Sequence, residues 1–597
     1  LFLFLFLFLF LFLFLFFFLF FFLFFFLFFS FFPSSSPFFP FFLSSFFLVG
    51  VLPVQPEVVV NDKLVVRHSR AMGLGLWTRG ALRAGEALLS VPRRAAILFD
   101  DLAARHAPEL ASLVAFVRRD SPTLRDVAAF ALLLLVESRG CGPGDGRWGA
   151  YLDAMDPDAD HLPLMWSDGE LAWMEGSGAH RAVLTMRAEL QDMYQLMQMD
   201  DDLGAYCSAL VVGPARATFR ELKWVAAHIM SNQFGLDPDG ALRLRAPAAS
   251  FGPRGGGGGR GEKEGALTDV TYIMPAPHDK ASGASSRHSN RSATSATSSL
   301  APKPLIRGLV PWAHLFNHHH NAAAHYKLDK SRGRIDFWTA RAYGPGEQVF
   351  INYGRLSSAV STINYGFLED DPSLPYSESP DVDEEVYGSG GDAESGVRAV
   401  DSQYERLVLR LNLFGPRNAS MSRLQQNMIA WRLGKLSEFS LRGRDGSPTP
   451  GTRFMLRMLA LGEGDADATS FNIGMAARID GRQRPLSVKN ECGAAAILLD
   501  VCKAAQDAFT TSLKEDLVRM AEVAREVRQL SSGVSGDGGR GGGGDGGGKK
   551  ALKKRAATAV RARRRERAAL KLRIREKDIL ADCVVWARSE QRVCQKV

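Results

Sequence analysis

The chain has 597 residues, which is too long for one hydrophobic core and predicts two or three domains joined by linkers. Its apolar and charged fractions, 46% and 23%, exclude a collagen-like or wholly disordered chain and are ordinary for a globular protein. The formal net charge is +8, but much of the excess lies in the run 549–567, KKALKKRAATAVRARRRER. We interpret this run as a solvated helix face rather than a nuclear address or a nucleic-acid patch, and we expect no nucleic-acid partner.

The six cysteines are scattered along the chain without paired short spacings. This distribution argues against a disulfide framework and against a cysteine-based zinc site. We therefore expect an intracellular, reducing compartment.

Residues 1–55 are a low-complexity tract, and its first 29 residues are only Leu and Phe. The run is long enough to cross a bilayer as a helix. It has no initiator Met, no charged n-region and no positive flank that would orient it. We interpret the tract as a translated simple repeat or a mis-called start, and we expect a membrane contact only if the tract is genuine.

Globular sequence begins at Asn61, where short β-branched runs alternate with Gly-containing turns and predict a small antiparallel β region. Helical patterns follow. Asp126 can cap the apolar run DVAAFALLLLVES, and residues 219–234 have apolar side chains at helical spacing. The Gly- and Ser-rich residues 246–303 lack the apolar content for a packed core and predict a flexible insertion.

Ordered sequence resumes at Leu305, and IDFWTARAYGPGEQVFINYG predicts two strands joined by a Gly-Pro-Gly turn. An acidic stretch over 369–394 precedes a helical remainder. In that remainder Ser512 and Glu515 have the spacing of a capping box, and a Gly-rich spacer covers 533–548.

Several motifs that are weak individually occur in an informative order. They are AMGLGLWTRGALRAGEALLSVP, WGAYLDAM, LPLMWSDGELAWMEGS, LVPWAHLFNH, GEQVFINYG and INYGF. The series resembles the split SET domain of the Rubisco large-subunit lysine methyltransferases and their relatives. Further along, RPLSVKNECGAAAILLDVCKAAQDAFTTSLKED and LRIREKDIL resemble the helical substrate-binding domain of that family. The resemblance spans about residues 60–590.

The resemblance implies an α+β protein, in which a knotted antiparallel β SET fold is split by a helical insertion and followed by an all-α C-terminal domain. Such knot-like crossings are rare among folds. The expected SET domain covers 56–372 and includes a helical insertion at about 101–245 and a disordered loop at about 246–303. An acidic linker over 373–400 follows. The helical substrate-binding domain covers 401–597 and has a Gly-rich loop at 533–548.

The implied activity is transfer of a methyl group from S-adenosylmethionine to a lysine of a non-histone protein. The expected cofactor is therefore S-adenosylmethionine, the expected partner is a protein substrate, and we expect a monomer in the plastid or cytoplasm rather than the nucleus. Two alternatives stay open: methylation of a histidine, which a SET relative of similar layout performs on actin, and a catalytically decayed protein-binding module.

The resemblance also implies roles for individual residues. Tyr353, in FINYG, matches the catalytic tyrosine whose hydroxyl lies at the methyl-transfer pore, where it would orient the nucleophile. Asn317 and His318 match the Asn-His pair that contacts the cofactor. Tyr365 and Phe367 would line the cofactor or substrate pocket. A strand-end tyrosine and ordinary core aromatics are the structural alternatives for the ring-bearing positions.

The other wall of the cofactor pocket would be formed by Gly73, Leu74, Gly75 and Leu76. Glycines there would let backbone amides and carbonyls approach a ligand closely. A plain hairpin turn is the alternative interpretation of these four residues.

Three positions depart from the family pattern: many relatives have Asp at His314, Arg at Asn232 and Asn at Ser358. The exchange at Asn232 matters most, because a cofactor carboxylate would lose a charge-assisted partner.

A second feature of this region is the group His314, His318, His319, His320 and His325. Imidazoles are common zinc ligands, but adjacent histidines on one strand or turn cannot all face one ion. We expect no metal.

Overall fold

The structure is a computed structural model, and it describes 57–69, 72–106, 110, 124–141, 148–199, 201–212, 216–236, 306–319, 322–354, 356–368, 406–410, 438–443, 445–460, 487–535 and 546–594. The predicted low-complexity tract, the loop at about 246–303 and the acidic linker lie outside the described residues, as do 536–545 of the Gly-rich spacer.

The N-terminal half of the described chain, within residues 57–368, contains eleven short strands from two separated stretches of sequence. The first stretch has β1 (Val59–Val60), β2 (Leu64–Ser69), β3 (Gly73–Thr78), β4 (Ala87–Pro92) and β5 (Ile97–Leu98). The second has β7 (Ile306–Leu309), β8 (Asn317–His318), β9 (Ala324–Asp329), β10 (Arg334–Thr339) and β11 (Phe350–Ile351), and β6 (Gln233–Leu236) ends the segment between them.

The largest sheet has six strands in the order β1-β4-β10-β9-β11-β8. Most pairs are antiparallel, but β11 runs parallel to both β8 and β9. The sequence predicted β10 and β11 as strands joined by a Gly-Pro-Gly turn. Both strands exist, but they are not neighbours, because β9 lies between them. Apolar side chains of this sheet, including Phe316, Ile335 and Phe337, form one buried core.

A three-stranded sheet, β5-β7-β6, marks the point where the predicted loop leaves and rejoins the fold. Strands β6 and β7 are antiparallel, and Leu236 is directly opposite Ile306. The residues that flank the loop are therefore neighbours across a strand pair, which is the geometry expected for an insertion.

The helical insertion includes a helical segment over 99–106, followed by α1 (Leu124–Ser138), α2 (Gly149–Asp153), α3 (Asp168–Leu171), α4 (Gly178–Met199), α5 (Asp201–Tyr206), α6 (Ser208–Val211) and α7 (Phe219–Asn232). Asp126 was predicted as the cap of α1, but the helix begins earlier, at Leu124, and Asp126 lies in its first turn. There it pairs with Arg307, 3.3 Å away. The apolar face of α1 is fully buried in the insertion core.

After the second stretch of strands, α8 (Ser358–Tyr365) leads away from the sheet. The C-terminal region then has β12 (Arg406–Arg410), β13 (Glu438–Arg442), α9 (Pro450–Leu459), α10 (Val488–Asp507), α11 (Leu513–Ser535) and α12 (Gly546–Cys594). This region is helical, as predicted, apart from the antiparallel pair β12-β13. The predicted capping box at α11 is confirmed, since Ser512 Oγ accepts from Glu515 N and Glu515 Oε2 accepts from Ser512 N.

The sequence argument against disulfides is wrong for Cys141 and Cys207, and Cys492 is disulfide-bonded as well. Cys141, after α1, and Cys207, before α6, form a disulfide with their Cα atoms 5.2 Å apart. Their sequence separation is 66 residues, and only the folded insertion brings them together.

Part of the basic run also differs from the prediction of a solvated helix face. Arg565 is only 16% exposed, and its guanidinium lies 2.8 Å from Glu170 of the insertion. Arg561 pairs with Asp160 at 3.5 Å. The run therefore helps to hold α12 against the N-terminal half. Over the part of the chain that the structure describes, no helix is both long and apolar enough to cross a membrane.

Candidate active site

The predicted cofactor wall is strand β3, which pairs with β2 along its whole length. Gly73 has φ +71°, a left-handed conformation that glycine adopts without strain. At Gly75 a Cβ atom would lie 2.8 Å from Nδ2 of Asn317 and closer still to Nε2 of Gln348. A side chain at this position would have to displace at least one of these two amides. Two amide side chains thus approach the backbone of the wall directly.

Asn317 joins this wall to the other predicted cofactor residues. Its Nδ2 donates to the carbonyl of Leu74 at 3.0 Å, across 243 positions of sequence. Asn317 and His318 form β8, and the parallel pairing of β8 with β11 places both beside the strand that leads to Tyr353. The GLGL motif and the Asn-His pair therefore meet, as the motif order predicted.

His318 connects the cofactor wall to the predicted catalytic tyrosine. Its Nδ1 accepts a hydrogen bond from the backbone N of Tyr353 at 3.0 Å. The His318 side chain is buried, and its ring centroid lies 5.2 Å from that of Tyr353. Because Nδ1 is an acceptor, a neutral His318 has its proton on Nε2.

The predicted pocket residues surround Tyr353. Tyr365 has its ring centroid 4.7 Å from that of Tyr353, and Phe367 stacks on His318 at 5.7 Å. Tyr365 and Phe367 are 6.0 Å apart. His318, Tyr353, Tyr365 and Phe367 are hereafter called the aromatic cluster.

The Tyr353 hydroxyl is fixed as a hydrogen-bond donor. It donates to the backbone carbonyl of Phe316 at 2.6 Å. Burial raises the pKa of this phenol above its ordinary value, and the neighbouring Tyr365 raises it further. The phenol is therefore neutral at physiological pH, and its oxygen lone pairs stay free to accept an N–H. Such a group orients a nucleophile and is poorly suited to act as a base.

Tyr365 and Phe367 are placed by helix α8. Ser357 caps its start by accepting from Val360 N, and Gly366, with φ +74°, ends it in the left-handed conformation. A Cβ atom at Gly366 would lie 2.5 Å from the backbone oxygen of His161, in the insertion. The close approach at Gly366 thus fixes the end of α8 next to the aromatic cluster.

The departures at His314 and Asn232 lie beside the insertion. The His314 ring meets the ring of Tyr151 edge-on at 5.7 Å, and burial lowers the pKa of His314 to about 4. Asn232 Nδ2 donates to the carbonyl of His228, and burial also lowers the pKa of His228. All three groups are thus uncharged at neutral pH. The cation expected at Asn232 is not replaced by a charged histidine here.

Several polar atoms near this region are buried and have no hydrogen-bond partner among the described residues, including His314 Nδ1, Tyr151 Oη and Gln348 Nε2. Unsatisfied buried polar atoms are uncommon and mark positions where a ligand can complete the bonding. Trp312, two residues before His314, has φ +69°, a strained conformation for a non-glycine residue. The backbone that leads to Asn317 is therefore held in a specific conformation of raised conformational energy.

The zinc interpretation gains no geometric support. Among the residues that the structure describes, no group of three or more His, Cys, Asp or Glu side chains is arranged to hold a metal ion. His325 instead packs on Trp338, and His319 packs on Phe350. His320 lies outside the described residues.

Sequence reasoning missed Gln348, whose amide reaches Gly75 from the GEQVFINYG motif, and the Phe316 carbonyl that holds Tyr353. Gln348 stood inside a recognised motif and could have been found. The backbone carbonyl had no signal in the side-chain pattern.

Comparisons with known proteins agree with this geometry. Residues 422–580 match the family described as Rubisco LSMT substrate-binding. The fold is similar to the crystal structure of the SET domain of LSMT bound to lysine and AdoHcy, with 16% identity, a TM-score of 0.55 and coverage of 95% of this chain and 94% of that one. Rubisco LSMT bound to AdoMet matches with 16% identity, a TM-score of 0.55 and 93% coverage of each chain.

A search of curated proteins found no match. At these identities the solved structures show the fold, and the family match shows that residues 422–580 are similar to the Rubisco LSMT substrate-binding family. The predicted α+β class is confirmed, because the N-terminal half has a SET-like fold and the C-terminal region is helical.

Proposed function

We propose that the chain is a protein methyltransferase that uses S-adenosylmethionine and methylates a lysine side chain. The single observation that supports this best is the meeting of two features at His318: the glycine-lined wall of β3, bound by Asn317, and the aromatic cluster around Tyr353. A methyl-transfer site needs both, because a donor must be held on one side and a nucleophile aligned on the other.

The residues of the wall fit the proposed cofactor. The missing side chain at Gly75 lets the amide groups of Asn317 and Gln348 lie directly against the backbone of the wall, where they can contact a polar ligand. His314 Nδ1 offers a further buried polar atom. When bound, S-adenosylmethionine would supply an electrophilic methyl group on a sulfonium sulfur.

The aromatic cluster fits the other half of the reaction. A lysine must lose its proton before its nitrogen can attack, and its reference pKa is about 10.4. Aromatic walls around a narrow site exclude water and disfavour the ammonium form. The Tyr353 oxygen, whose proton points to Phe316, can accept an N–H of the amine and so fix the direction of its lone pair.

The long aliphatic stem of lysine suits a site walled by Tyr365 and Phe367, and this favours lysine over histidine as the proposed target. The LSMT structures that resemble this chain include one bound to lysine and one bound to methyl-lysine. Their low identity to this chain makes the target a proposal. The C-terminal match to a substrate-binding region supports a protein as the substrate.

Transfer of a tritium-labelled methyl group from S-adenosylmethionine into cell extract, followed by mass spectrometry of the labelled residue, tests the proposal. We expect labelled lysine in one or a few proteins. Labelled histidine would reassign the target and keep the reaction. Cofactor binding without transfer would identify a decayed binding module, and absence of both would reject the proposed function.

A further inference from the structure

A short segment of α12 makes buried polar contacts with both halves of the chain. Its charged side chains Arg573, Arg575, Glu576 and Lys577 are each at most 9% exposed. Towards α11, Lys577 Nζ lies 2.5 Å from the Asp516 carboxylate. Towards the N-terminal half, Arg573 donates to the Trp173 carbonyl at 3.1 Å. This segment therefore lies at the junction between the substrate-binding region and the N-terminal half.

Arg575 makes the contact nearest to the candidate site. Its Nη1 donates to Ser358 Oγ at 2.6 Å, and both side chains are buried. Ser358 is the first residue of α8 and stands where many relatives of the family have Asn. A cation at the N-terminal end of a helix is disfavoured by the helix dipole. A stabilising effect of charge on α8 therefore does not explain why Arg575 lies here. A hydrogen bond that fixes the position of α8 does explain it.

Helix α8 transmits position because it is short, buried and fixed at its other end. All its residues from Ser358 to Asn364 are buried, and eight residues span about 12 Å. Its last residue, Tyr365, packs on Tyr353, and the following Gly366 abuts the His161 backbone. A shift at Ser358 would therefore move Tyr365 within the aromatic cluster.

We propose that Arg575 is a positioning residue, through which the substrate-binding region sets the place of α8 and hence of Tyr365 and Phe367 in the methyl-transfer site. The inference rests on the proposed function for its catalytic consequence. Its structural part concerns α8 alone and can be tested separately.

The same helix provides a matched control. Glu576, the next residue, accepts from the backbone N of Gly178 at 2.9 Å and so contacts the start of α4 in the insertion. Glu576→Gln weakens the same junction at a different place. The variants Arg575→Met and Ser358→Ala remove the two sides of the proposed contact, and Ser358→Asn keeps a hydrogen-bond acceptor.

Amide hydrogen exchange in the full chain reads the position of α8 without any substrate. We expect faster exchange over 358–367 in Arg575→Met and Ser358→Ala, with no change over 73–78. Glu576→Gln should change exchange at the start of α4 instead. Unchanged exchange in α8, or the same change in the control, would overturn the proposal.

Rates of labelled-methyl transfer into cell extract test the catalytic part. We expect Arg575→Met and Ser358→Ala to lower the maximal rate about tenfold, since small misplacements in a reacting site have large effects. The affinity of these variants for S-adenosylhomocysteine, measured by calorimetry, should be unchanged. Ser358→Asn should retain most of the rate, and the double variant should be no slower than Arg575→Met alone.

The outcomes separate the two claims. If the wild-type chain transfers no methyl group while exchange in α8 responds as expected, the proposed function fails and the positioning role stands. If the wild type is active and both Arg575→Met and Ser358→Ala transfer at its rate, the positioning role fails and the proposed function stands.

Discussion

The two sides of the candidate site are held in different ways. The β3 wall is fixed within the N-terminal half, by its pairing with β2, by the bond of Val349 N to Leu76 O and by Asn317. The aromatic cluster depends on α8, whose first residue is bonded to Arg575 of the C-terminal region. Cofactor binding should therefore be a local property, and alignment of the target side chain should depend on both halves.

The largest expected effect concerns the aromatic side. Tyr353→Phe removes one hydroxyl and keeps the ring, so packing against Tyr365 should survive. Loss of a hydrogen bond that acts mainly in the transition state lowers kcat about a hundredfold or more. Transfer kinetics with labelled S-adenosylmethionine would show this, and a wild-type rate would remove Tyr353 from the catalytic centre.

The wall is tested by Gly75→Ala. The added methyl group would collide with the amides of Asn317 and Gln348, and overpacking of this kind costs about 1–3 kcal/mol. We expect a lower melting temperature and weaker cofactor binding. Gly80→Ala is the control, because a Cβ there would meet nothing nearer than Lys63 Cγ at 3.6 Å. Equal effects of the two substitutions would argue against a built wall.

His314 makes stability depend on pH. Its pKa falls from an ordinary 6.5 to about 4 through burial, so the unfolded chain binds the proton more readily than the folded one. The contribution of neutral His314 to the free energy of unfolding is therefore fully present above pH 6.5 and is lost as the pH falls towards 4. The loss is about 3 kcal/mol. Denaturant titrations at several pH values between these limits give the free energy of unfolding. It should fall more steeply with falling pH in the wild type than in His314→Asn, and an equal pH dependence of the two proteins would contradict the assignment.

The departures from the family pattern at Asn232 and His314 predict that reversing them tightens cofactor binding. Replacing both neutral groups, with Asn232→Arg and His314→Asp, would restore a cation for the cofactor carboxylate and an anion beside it. A hydrogen bond to a charged group is worth enough to tighten binding about tenfold. Calorimetry of the double variant measures this. Weaker binding than in the wild type would show that the wild-type pair has its own way of holding the cofactor.

The smallest effect is expected from deletion of residues 246–299. Its flanks meet in the β6-β7 pair, where Leu236 is opposite Ile306, and loop length changes closure entropy only slowly. The melting temperature and the cofactor affinity should be nearly unchanged. A large fall in melting temperature would mean that the segment packs on the fold.

The structure brings together the local motifs that the sequence singled out, and this has a physical reason. Gly75 and Asn317 belong to short motifs, in which backbone geometry and a ligand restrict the residue type directly. The bond of Arg575 to Ser358 joins positions 217 apart, and nothing in LRIREKDIL distinguishes a buried arginine from a solvated one. The Cys141–Cys207 disulfide was missed for the same reason, since only the folded insertion brings the two residues together.

The basic run over 549–567 shows a second limit of prediction from sequence, because its charge pattern alone does not show which charges are paired. A charge run predicts a solvated face when no partner is known, yet Arg565 finds Glu170 in a distant part of the chain. Composition predicts how many charges a segment has, and tertiary packing decides which of them are paired.

Calorimetric titration of S-adenosylmethionine into wild type, Tyr353→Phe and Asn317→Ala tests most directly the claim that the two sides of the site have different roles. We expect one site in the wild type, nearly the same affinity in Tyr353→Phe, and clearly weaker binding in Asn317→Ala, which loses its bond to the Leu74 carbonyl. Equal loss in both variants, or no loss in Asn317→Ala, would contradict it.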